Sequence, residues 1–232
     1  MQKVISFSLW GTNPKYTVGA VRNAQLCHEV YPGWVARFYI DPTLPNEIAQ
    51  HLRELGAEVI EVPQPGDWRG LFWRFTAASD PAVEVMLSRD CDSRVNLREA
   101  AAVSQWLSSP ALFHIMRDHP AHDVPVLGGL WGVKAPLLRE MTDLIEGYVK
   151  DNSWQVDQRF LREVIYPRVR KVALVHDEFY AKRAFPEPRK ALEFVGQVFD
   201  EYDRPVLTDR EALAQGLRLG HWRALWRRLR LS

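Results

Sequence analysis

The chain has 232 residues and carries 30 Lys or Arg against 29 Asp or Glu, so its formal net charge is +1. That length suits one large α/β domain, alone or with a tail, and the balanced charge argues against a nucleic-acid partner. Cys27 and Cys91 are the only cysteines. They lack the number and spacing of a disulfide framework or a zinc site, which favours a cytoplasmic protein. We also expect no signal peptide and no membrane-spanning segment.

Three strand–helix repeats are predicted at the start of the chain. Strand-like runs at 4–9, 34–40 and 57–62 are separated by segments of helical periodicity that end at Gly33 and Gly56. Sequential repeats of this kind favour a parallel sheet with right-handed crossovers. The sequence therefore predicts a Rossmann-like, nucleotide-binding α/β fold.

The loop after the first predicted strand, residues 10–16, is expected at the ligand-binding rim, because ligands of such sheets bind beyond the carboxyl ends of the strands. Neither a Gly-x-Gly-x-x-Gly fingerprint nor a Walker-type loop occurs there. A nicotinamide dehydrogenase and a P-loop kinase are therefore weak interpretations.

Arginines and aromatic residues are mixed between residues 67 and 75. As a helix, this segment would bring Arg69, Trp73 and Arg74 close together through three- and four-residue spacing. A base could stack there, and a phosphate could bind an arginine. The alternative is a core helix whose arginines extend to solvent.

A β-favouring run at 83–88 leads directly into Arg89, Asp90 and Asp92. Residues one apart on an extended backbone project to the same side, so the two carboxylates can share Mg²⁺ or Mn²⁺. Such an ion usually completes its shell with water and substrate phosphate oxygens, which suits a nucleoside-diphosphate donor. Alternatively, the aspartates are turn and cap residues of the next helix, and the flanking arginines, Arg89 and Arg94, are their solvated partners.

The next predicted helix begins at Asn96, with Glu99 in the position of a capping box. A strand at 113–116 then opens onto a loop of five ionisable groups at 117–123 that includes Asp118. This loop is either an acceptor site or metal neighbourhood, or a solvated loop.

Two glycines, Gly128 and Gly129, lie in a strand-like run. They indicate either a close approach of a ligand, such as a sugar ring, or a β-bulge. Asp157 is expected in the first turn of a short helix, where the helix dipole alone would favour it. His176 ends the last predicted strand, and its imidazole could form a third corner of a manganese or magnesium site.

The C-terminal part is predicted as a connector and docking segment at 183–210, followed by a basic amphipathic helix at 211–232. Beyond Glu211 there is no acidic residue, and arginines alternate with leucines and tryptophans. Such a helix can lie on an anionic membrane, which would place the protein peripherally at its inner face. It can equally dock on the protein's own body or on a partner.

In the order of these parts, the chain resembles the GT-A-fold glycosyltransferases, and most of all the glycogenin-like and galactosyltransferase-like enzymes. The shared order is a nucleotide-binding half, a strand ending in Asp-x-Asp, a Gly-rich strand, an Asp-Gln helix start and a late histidine. The resemblance covers roughly residues 1–180, and it implies a catalytic domain at residues 1–182.

This resemblance implies a transferase that moves a sugar from a nucleotide-sugar donor to a glycan, lipid-linked or protein acceptor with Mn²⁺ or Mg²⁺. Asp90 and Asp92 would bind the metal and diphosphate, with His176 as a candidate third ligand, and Arg89 could carry part of the diphosphate charge. The other implied residues are Asp157, Gln158, Gly128 and Gly129 beside the sugar or acceptor, and Trp10, Asn13 and Tyr16 against the nucleoside. An inverting enzyme would also need a carboxylate base, for which Asp157 or Asp118 is present.

Two other functions remain open at this point. A sugar nucleotidyltransferase usually has a Gly-rich, basic loop after the first strand, where this chain has only Gly11 and Lys15. A non-catalytic glycan- or nucleotide-binding module would use the nine tryptophans for binding and the aspartates for capping.

Overall fold

A seven-stranded sheet forms the centre of the molecule. The computed structural model describes residues 1–148, 155–181 and 183–229, with side chains described as far as residue 219. In chain order, the strands are β1 (Gln2–Leu9), β2 (Val35–Ile40), β3 (Glu58–Glu61), β4 (Val83–Ser88), β5 (Phe113–Arg117), β6 (Trp131–Lys134) and β7 (Ala173–Asp177). The order across the sheet is β3-β2-β1-β4-β6-β5-β7. Strand β6 is antiparallel to both neighbours, whereas the other pairs are parallel.

Helices connect the strands and flank the sheet. Within the described residues they are α1 (Pro14–Val30), α2 (Asn46–Glu54), α3 (Gly70–Trp73), α4 (Leu97–Leu107), α5 (Met141–Tyr148), α6 (Val156–Phe160), α7 (Tyr166–Val169) and α8 (Leu207–Leu229). Short 3₁₀ segments span Arg74–Ser79 and Ala135–Leu138, and a π segment spans Leu161–Ile165. The predicted α/β class, with a mixed and mostly parallel sheet, is confirmed.

Two helices begin at asparagine caps. The Asn13 side chain accepts a hydrogen bond from the backbone N–H of Lys15 at 3.0 Å, at the start of α1. The Asn96 side chain does the same for Glu99 at 3.0 Å at the start of α4, as the sequence predicts. The carboxylate of Glu99 does not return to the cap, however, because it pairs with Arg89 in the interior.

Both faces of the sheet are covered by apolar side chains, as a largely parallel sheet requires. In β4, Met86 belongs to the cluster on one face, whereas Val85 and Leu87 belong to the cluster on the other. This division follows from the two-residue repeat of an extended strand. The Phe7 and Phe38 rings stack across β1 and β2 at 4.7 Å between centroids.

Six of the seven strands point in one direction, so their carboxyl ends form a single rim. The neighbouring strands β1 and β4 bring the loop after residue 9 beside the loop after residue 88. Because β6 is antiparallel to β4, its first residue, Trp131, pairs with the last residue of β4, Ser88. The turn that precedes β6 therefore also lies at this rim.

The stretch predicted as a connector and docking segment packs on the body of the protein. Phe185 and Val195 are buried with Met116 in a small apolar cluster. Further along, the backbone N–H of Phe199 donates to the carbonyl of Asp92 at 2.8 Å. This part of the chain therefore returns to the loop after β4. Whether the chain divides into units at residues 182 and 210 remains a prediction.

Helix α8 docks on the body through its first half. Leu213 is fully buried, and a Cβ placed on Gly216 would lie 2.3 Å from Pro120 Cγ, so helix and body are in close contact there. The side chains that would make the tail basic and amphipathic lie largely beyond the described ones, so its membrane contact remains a prediction. In the part of the chain that the structure describes, no helix has the length and apolar character needed to cross a membrane.

Candidate functional site

A cleft of about 630 Å³ opens at the carboxyl ends of β1 and β4. It is lined from one side by the loop after β1 and the start of α1, and from the other by the loop after β4. Six of the predicted site residues line it, namely Trp10, Asn13, Tyr16, Arg74, Asp90 and Asp92. These residues, which the sequence predicts near the ends of the first and fourth strands and in the segment at 67–75, therefore line one cavity.

Arg74 lies on the floor of the cleft between two carboxylates. Its Nη1 is 3.1 Å from Asp90 Oδ1, and its Nη2 is 3.1 Å from Asp157 Oδ2. The backbone of Arg74 is also fixed, because Ser6 Oγ donates to its carbonyl at 2.7 Å and Ser8 Oγ accepts from its N–H at 2.9 Å. The buried guanidinium therefore holds Asp90 and Asp157 in fixed positions.

The electrostatic balance at this floor is negative. Burial raises the pKa of Asp90 above its ordinary value, and the neighbouring carboxylates of Asp92 and Asp157 add to the rise, against the effect of Arg74. A raised pKa means that the ionised carboxylate is disfavoured where it lies. A cation that entered the cleft would relieve this excess of negative charge.

A second cation, Lys15, lies beside the cleft without lining it, and its Nζ is 2.8 Å from Asp92 Oδ2, which does line it. Burial by itself lowers the pKa of Lys15, but the hydrogen bond and charge of Asp92 outweigh it and raise the pKa above its ordinary value. Sequence reasoning did not identify Lys15 as a site residue. Its place in the first turn of α1, directly after the loop at the rim, is the signal that could have found it.

The two glycines lie in the turn before β6 rather than within a strand. A Cβ on Gly129 would be 2.0 Å from Asp90 Oδ2, and one on Gly128 would be 2.7 Å from Asp157 Oδ2. The Gln158 amide bridges this turn, accepting from the Gly128 N–H and donating to the Val126 carbonyl, both at 3.0 Å. The glycines therefore allow the turn to approach the carboxylates closely.

The aromatic residues of the loop differ in exposure. Trp10 is wedged against the backbone at Gly66 and Gly70, where a Cβ would be 2.2 and 2.9 Å from its ring, and it meets Trp73 edge-on at 5.7 Å. Tyr16 is 40% exposed, and the Lys15 ammonium lies over its ring at 5.4 Å from the centroid. Gln155, with φ of 56°, and Val198 also line the cleft and were not predicted.

Two predicted arginines do not face the cleft. Arg89 is buried, with Nε 2.9 Å from Glu99 Oε1 and Nη1 donating to the Ser88 carbonyl at 2.7 Å. Its predicted contact with the donor is wrong, because the guanidinium is directed into the interior. Arg69 is exposed and pairs with Asp67 at 2.7 Å, outside the cleft lining.

The prediction of His176 as a third metal ligand is also wrong. Its Nδ1 is 2.8 Å from His114 Nε2, and its Nε2 is 2.9 Å from Gln105 Oε1, so both ring nitrogens are engaged. It lies on β7, from which β4 is separated by β5 and β6. Burial lowers its pKa to about 4, so the ring is neutral near pH 7.

The prediction of Asp118 as a base is likewise corrected. Arg98 donates to both carboxylate oxygens, at 2.9 and 3.0 Å, and Arg189 and the Val195 N–H donate as well. The fully buried carboxylate therefore has no free oxygen for an acceptor hydroxyl.

A divalent ion fits this site only if ligands other than protein side chains take part. Within the described residues, no group of three or more His, Cys, Asp or Glu side chains is placed to hold a metal ion. Asp90 and Asp92 nevertheless both line the cleft. One or two carboxylates suffice for Mg²⁺ when water and substrate phosphates complete its shell.

Comparisons with known proteins give a structural match only. No family model and no curated protein sequence matches the chain. A mannosyltransferase from Pyrobaculum calidifontis, solved with GDP-mannose and Mn²⁺, has a TM-score of 0.51 at 14% identity, over 76% of this chain and 55% of that one. The chain thus spans about half the length of that enzyme.

Glucosyl-3-phosphoglycerate synthase from Mycobacterium tuberculosis, solved with UDP, has a TM-score of 0.48 at 15% identity over 81% of this chain and 73% of that one. The topology and the match to the mannosyltransferase place the chain in the GT-A-type, Rossmann-like fold class. The closer likeness to glycogenin-like and galactosyltransferase-like enzymes remains a prediction.

Proposed function

We propose that the chain is a glycosyltransferase that takes a sugar from a nucleotide-sugar donor bound in the cleft at β1 and β4. The observation that carries this proposal is the ion-paired set of Asp90, Arg74 and Asp157. These residues are far apart in sequence, yet they meet at the ligand-binding rim of a GT-A-type fold. Structural likeness to a mannosyltransferase supports the same conclusion.

The donor's diphosphate would lie over Asp90 and Asp92, and its nucleoside against Trp10, Asn13 and Tyr16. A divalent ion bound there, Mn²⁺ or Mg²⁺, would stabilise the negative charge that develops on the departing diphosphate. Asn13 is committed to its helix cap, so it shapes the loop, whereas the exposed Tyr16 ring offers a stacking surface.

Asp157 is the remaining candidate for the carboxylate that acts on the sugar or acceptor, since Asp118 is fully engaged elsewhere. It is paired with Arg74 and lies beside the Gly128 turn that Gln158 holds. In an inverting reaction it would take the proton of the acceptor hydroxyl, and in a retaining reaction it would support the positive charge on the sugar. We infer a glycan, lipid-linked or protein acceptor.

A thermal-shift panel of UDP, GDP and their sugars, with and without Mn²⁺, tests the proposal. We expect one nucleotide to stabilise the protein in a metal-dependent way, by about 2.7 kcal/mol at a hundredfold excess over its Kd. The double variant Asp90→Ala/Asp92→Ala should lose this response. If no nucleotide stabilises the wild type, or if the double variant responds equally, a non-catalytic binding module becomes the better interpretation.

Gly129→Ala should impair sugar transfer by about a hundredfold, because a shift of the order of 1 Å in a catalytic group has effects of that size. The new Cβ would be 2.0 Å from Asp90 Oδ2 and 3.0 Å from the Asp90 backbone N, so the whole residue must move. Gly147→Ala is the matched control, since nothing lies within 4 Å of its Cβ position in α5. Transfer rates of the two variants on one donor should differ by the stated factor, and equal rates would contradict the role of the Gly129 turn.

A further inference from the structure

Each aspartate of the Asp-x-Asp pair already has a cationic partner from the protein. Asp90 pairs with Arg74 at 3.1 Å, and Asp92 pairs with Lys15 at 2.8 Å. A divalent ion that binds both carboxylates must therefore share them with these two side chains or displace them. The two cations differ in how readily they can leave.

Arg74 is fixed. Its side chain is only 5% exposed, it pairs with Asp157 as well as Asp90, and its backbone is bound to Ser6 and Ser8. Moving it would leave a buried carboxylate without its charge partner, which is costly.

Lys15 is movable. Its side chain is 31% exposed, and its ammonium is carried on a flexible stem at the first turn of α1. A partly exposed pair of this kind contributes little to stability, so Lys15 can leave Asp92 at small cost. The backbone of Lys15 would stay in place, because Asn13 caps it.

The charge balance gives this movement a direction. The ion-paired group at and beside the cleft consists of three carboxylates and two side-chain cations, so it carries one net negative charge. When a divalent ion enters, that balance becomes positive, and Lys15 is repelled from Asp92 while it remains close to the cleft. A diphosphate bound to the same ion would then offer Lys15 an anionic partner, in competition with the carboxylate of Asp209, whose charge also acts on Lys15.

We propose that Lys15 is a displaceable cation of the donor site. It holds Asp92 while no metal is bound, releases the carboxylate when a divalent ion enters, and then pairs with the diphosphate of the donor. This inference rests on the proposed function and deepens it, because it gives the site an ordered exchange of positive charges. Lys15 is thus a positioning residue for Asp92 in the free protein and a donor-binding residue in the complex.

Lys15→Met should change two affinities in opposite directions. Its affinity for Mn²⁺ alone should rise by about tenfold, because a competing positive charge has gone. Its affinity for UDP or GDP, whichever the wild type binds, should fall by about tenfold in saturating Mn²⁺, because a charge-assisted hydrogen bond is lost. A purely structural role would weaken both affinities, and Lys15→Arg should restore most nucleotide binding.

Free Mn²⁺ can be measured by its electron paramagnetic resonance signal during titration of wild type and variants without nucleotide. UDP and GDP are then titrated calorimetrically in saturating Mn²⁺. Lys3→Met is the matched control, because this exposed lysine lies in β1 at the opposite, amino end of the strand. It should leave both affinities unchanged.

The two proposals fail in distinguishable ways. If neither UDP nor GDP binds to the wild type with Mn²⁺, the proposed function is overturned. The proposed exchange of Lys15 for a divalent ion at Asp92 is then overturned as well. If a nucleotide binds the wild type but Lys15→Met has the wild-type Mn²⁺ affinity, the exchange alone is overturned. Two affinity changes of the same sign overturn it as well.

Discussion

Asp90→Asn should lower the rate of sugar transfer by about a thousandfold without lowering the melting temperature of the ligand-free protein. The rate falls because the variant removes a charge that, in the proposed complex, holds the metal and so stabilises the leaving diphosphate. Losing one such electrostatic contribution costs about 10²–10³ in turnover. Asparagine has nearly the same shape, so it fits beside the Gly129 turn.

The stability side of this prediction follows from the sign of the pKa shift. The pKa of Asp90 is raised in the folded protein, chiefly by burial. Its ionised form therefore opposes folding near pH 7, and stability from this group is gained only as pH falls through the raised pKa. A neutral asparagine removes that penalty, so thermal unfolding should occur at the wild-type temperature or above it.

Asp67→Asn is the matched control, because Asp67 also pairs with an arginine, Arg69, but lies outside the cleft. Its transfer rate should equal that of the wild type. Retention of activity within tenfold in Asp90→Asn would remove Asp90 from the mechanism. A large fall in its melting temperature would instead show that the carboxylate stabilises the free protein.

The parts of the site that could be predicted from sequence are those that depend on strand ends. Asp90 and Asp92 follow a recognisable buried strand, and parallel strands deliver their carboxyl ends to one rim. Gly128 and Gly129 predict a close approach of another group, because glycine has no side chain. In the structure, the groups that approach them include the carboxylates of Asp157 and Asp90. Arg74 and Asp157 are 83 residues apart, so their ion pair could not be predicted without the tertiary fold.

The errors have equally specific causes. Arg89 and Asp90 are adjacent on an extended chain, so they project to opposite sides, and the sequence does not say which side is the interior. The local sequence around His176 does not reveal the strand order, which puts β7 at the edge of the sheet and two strands away from β4. The partners of Asp118, Arg98 and Arg189, lie 20 and 71 residues away, and nothing in its local sequence indicates them.

Arg89→Met should destabilise the protein by about 3–5 kcal/mol, the usual result of breaking a buried ion pair on one side. Arg89 and Glu99 are each only 1% exposed and lie 2.9 Å apart. Among the residues that the structure describes, the variant leaves the Glu99 carboxylate with the Tyr31 hydroxyl, at 2.7 Å, as its one hydrogen-bond donor. It also removes the donor to the Ser88 carbonyl, directly before the loop that carries Asp90. Urea unfolding followed by circular dichroism measures the loss.

The double variant Arg89→Met/Glu99→Gln should be more stable than Arg89→Met, because it removes the second buried charge together with the first. At a temperature where both variants are folded, their affinity for the donor nucleotide should remain within a fewfold of the wild type, since Arg89 does not line the cleft. The single and double variants together distinguish the two roles considered for Arg89, which are phosphate binding and the buried ion pair with Glu99. An Arg89→Met variant that unfolds like the wild type but no longer binds nucleotide would return Arg89 to the phosphate site. If Arg89→Met is destabilised and the added Glu99→Gln substitution restores its stability, the buried Arg89–Glu99 ion pair stabilises the structure next to the Asp-x-Asp loop.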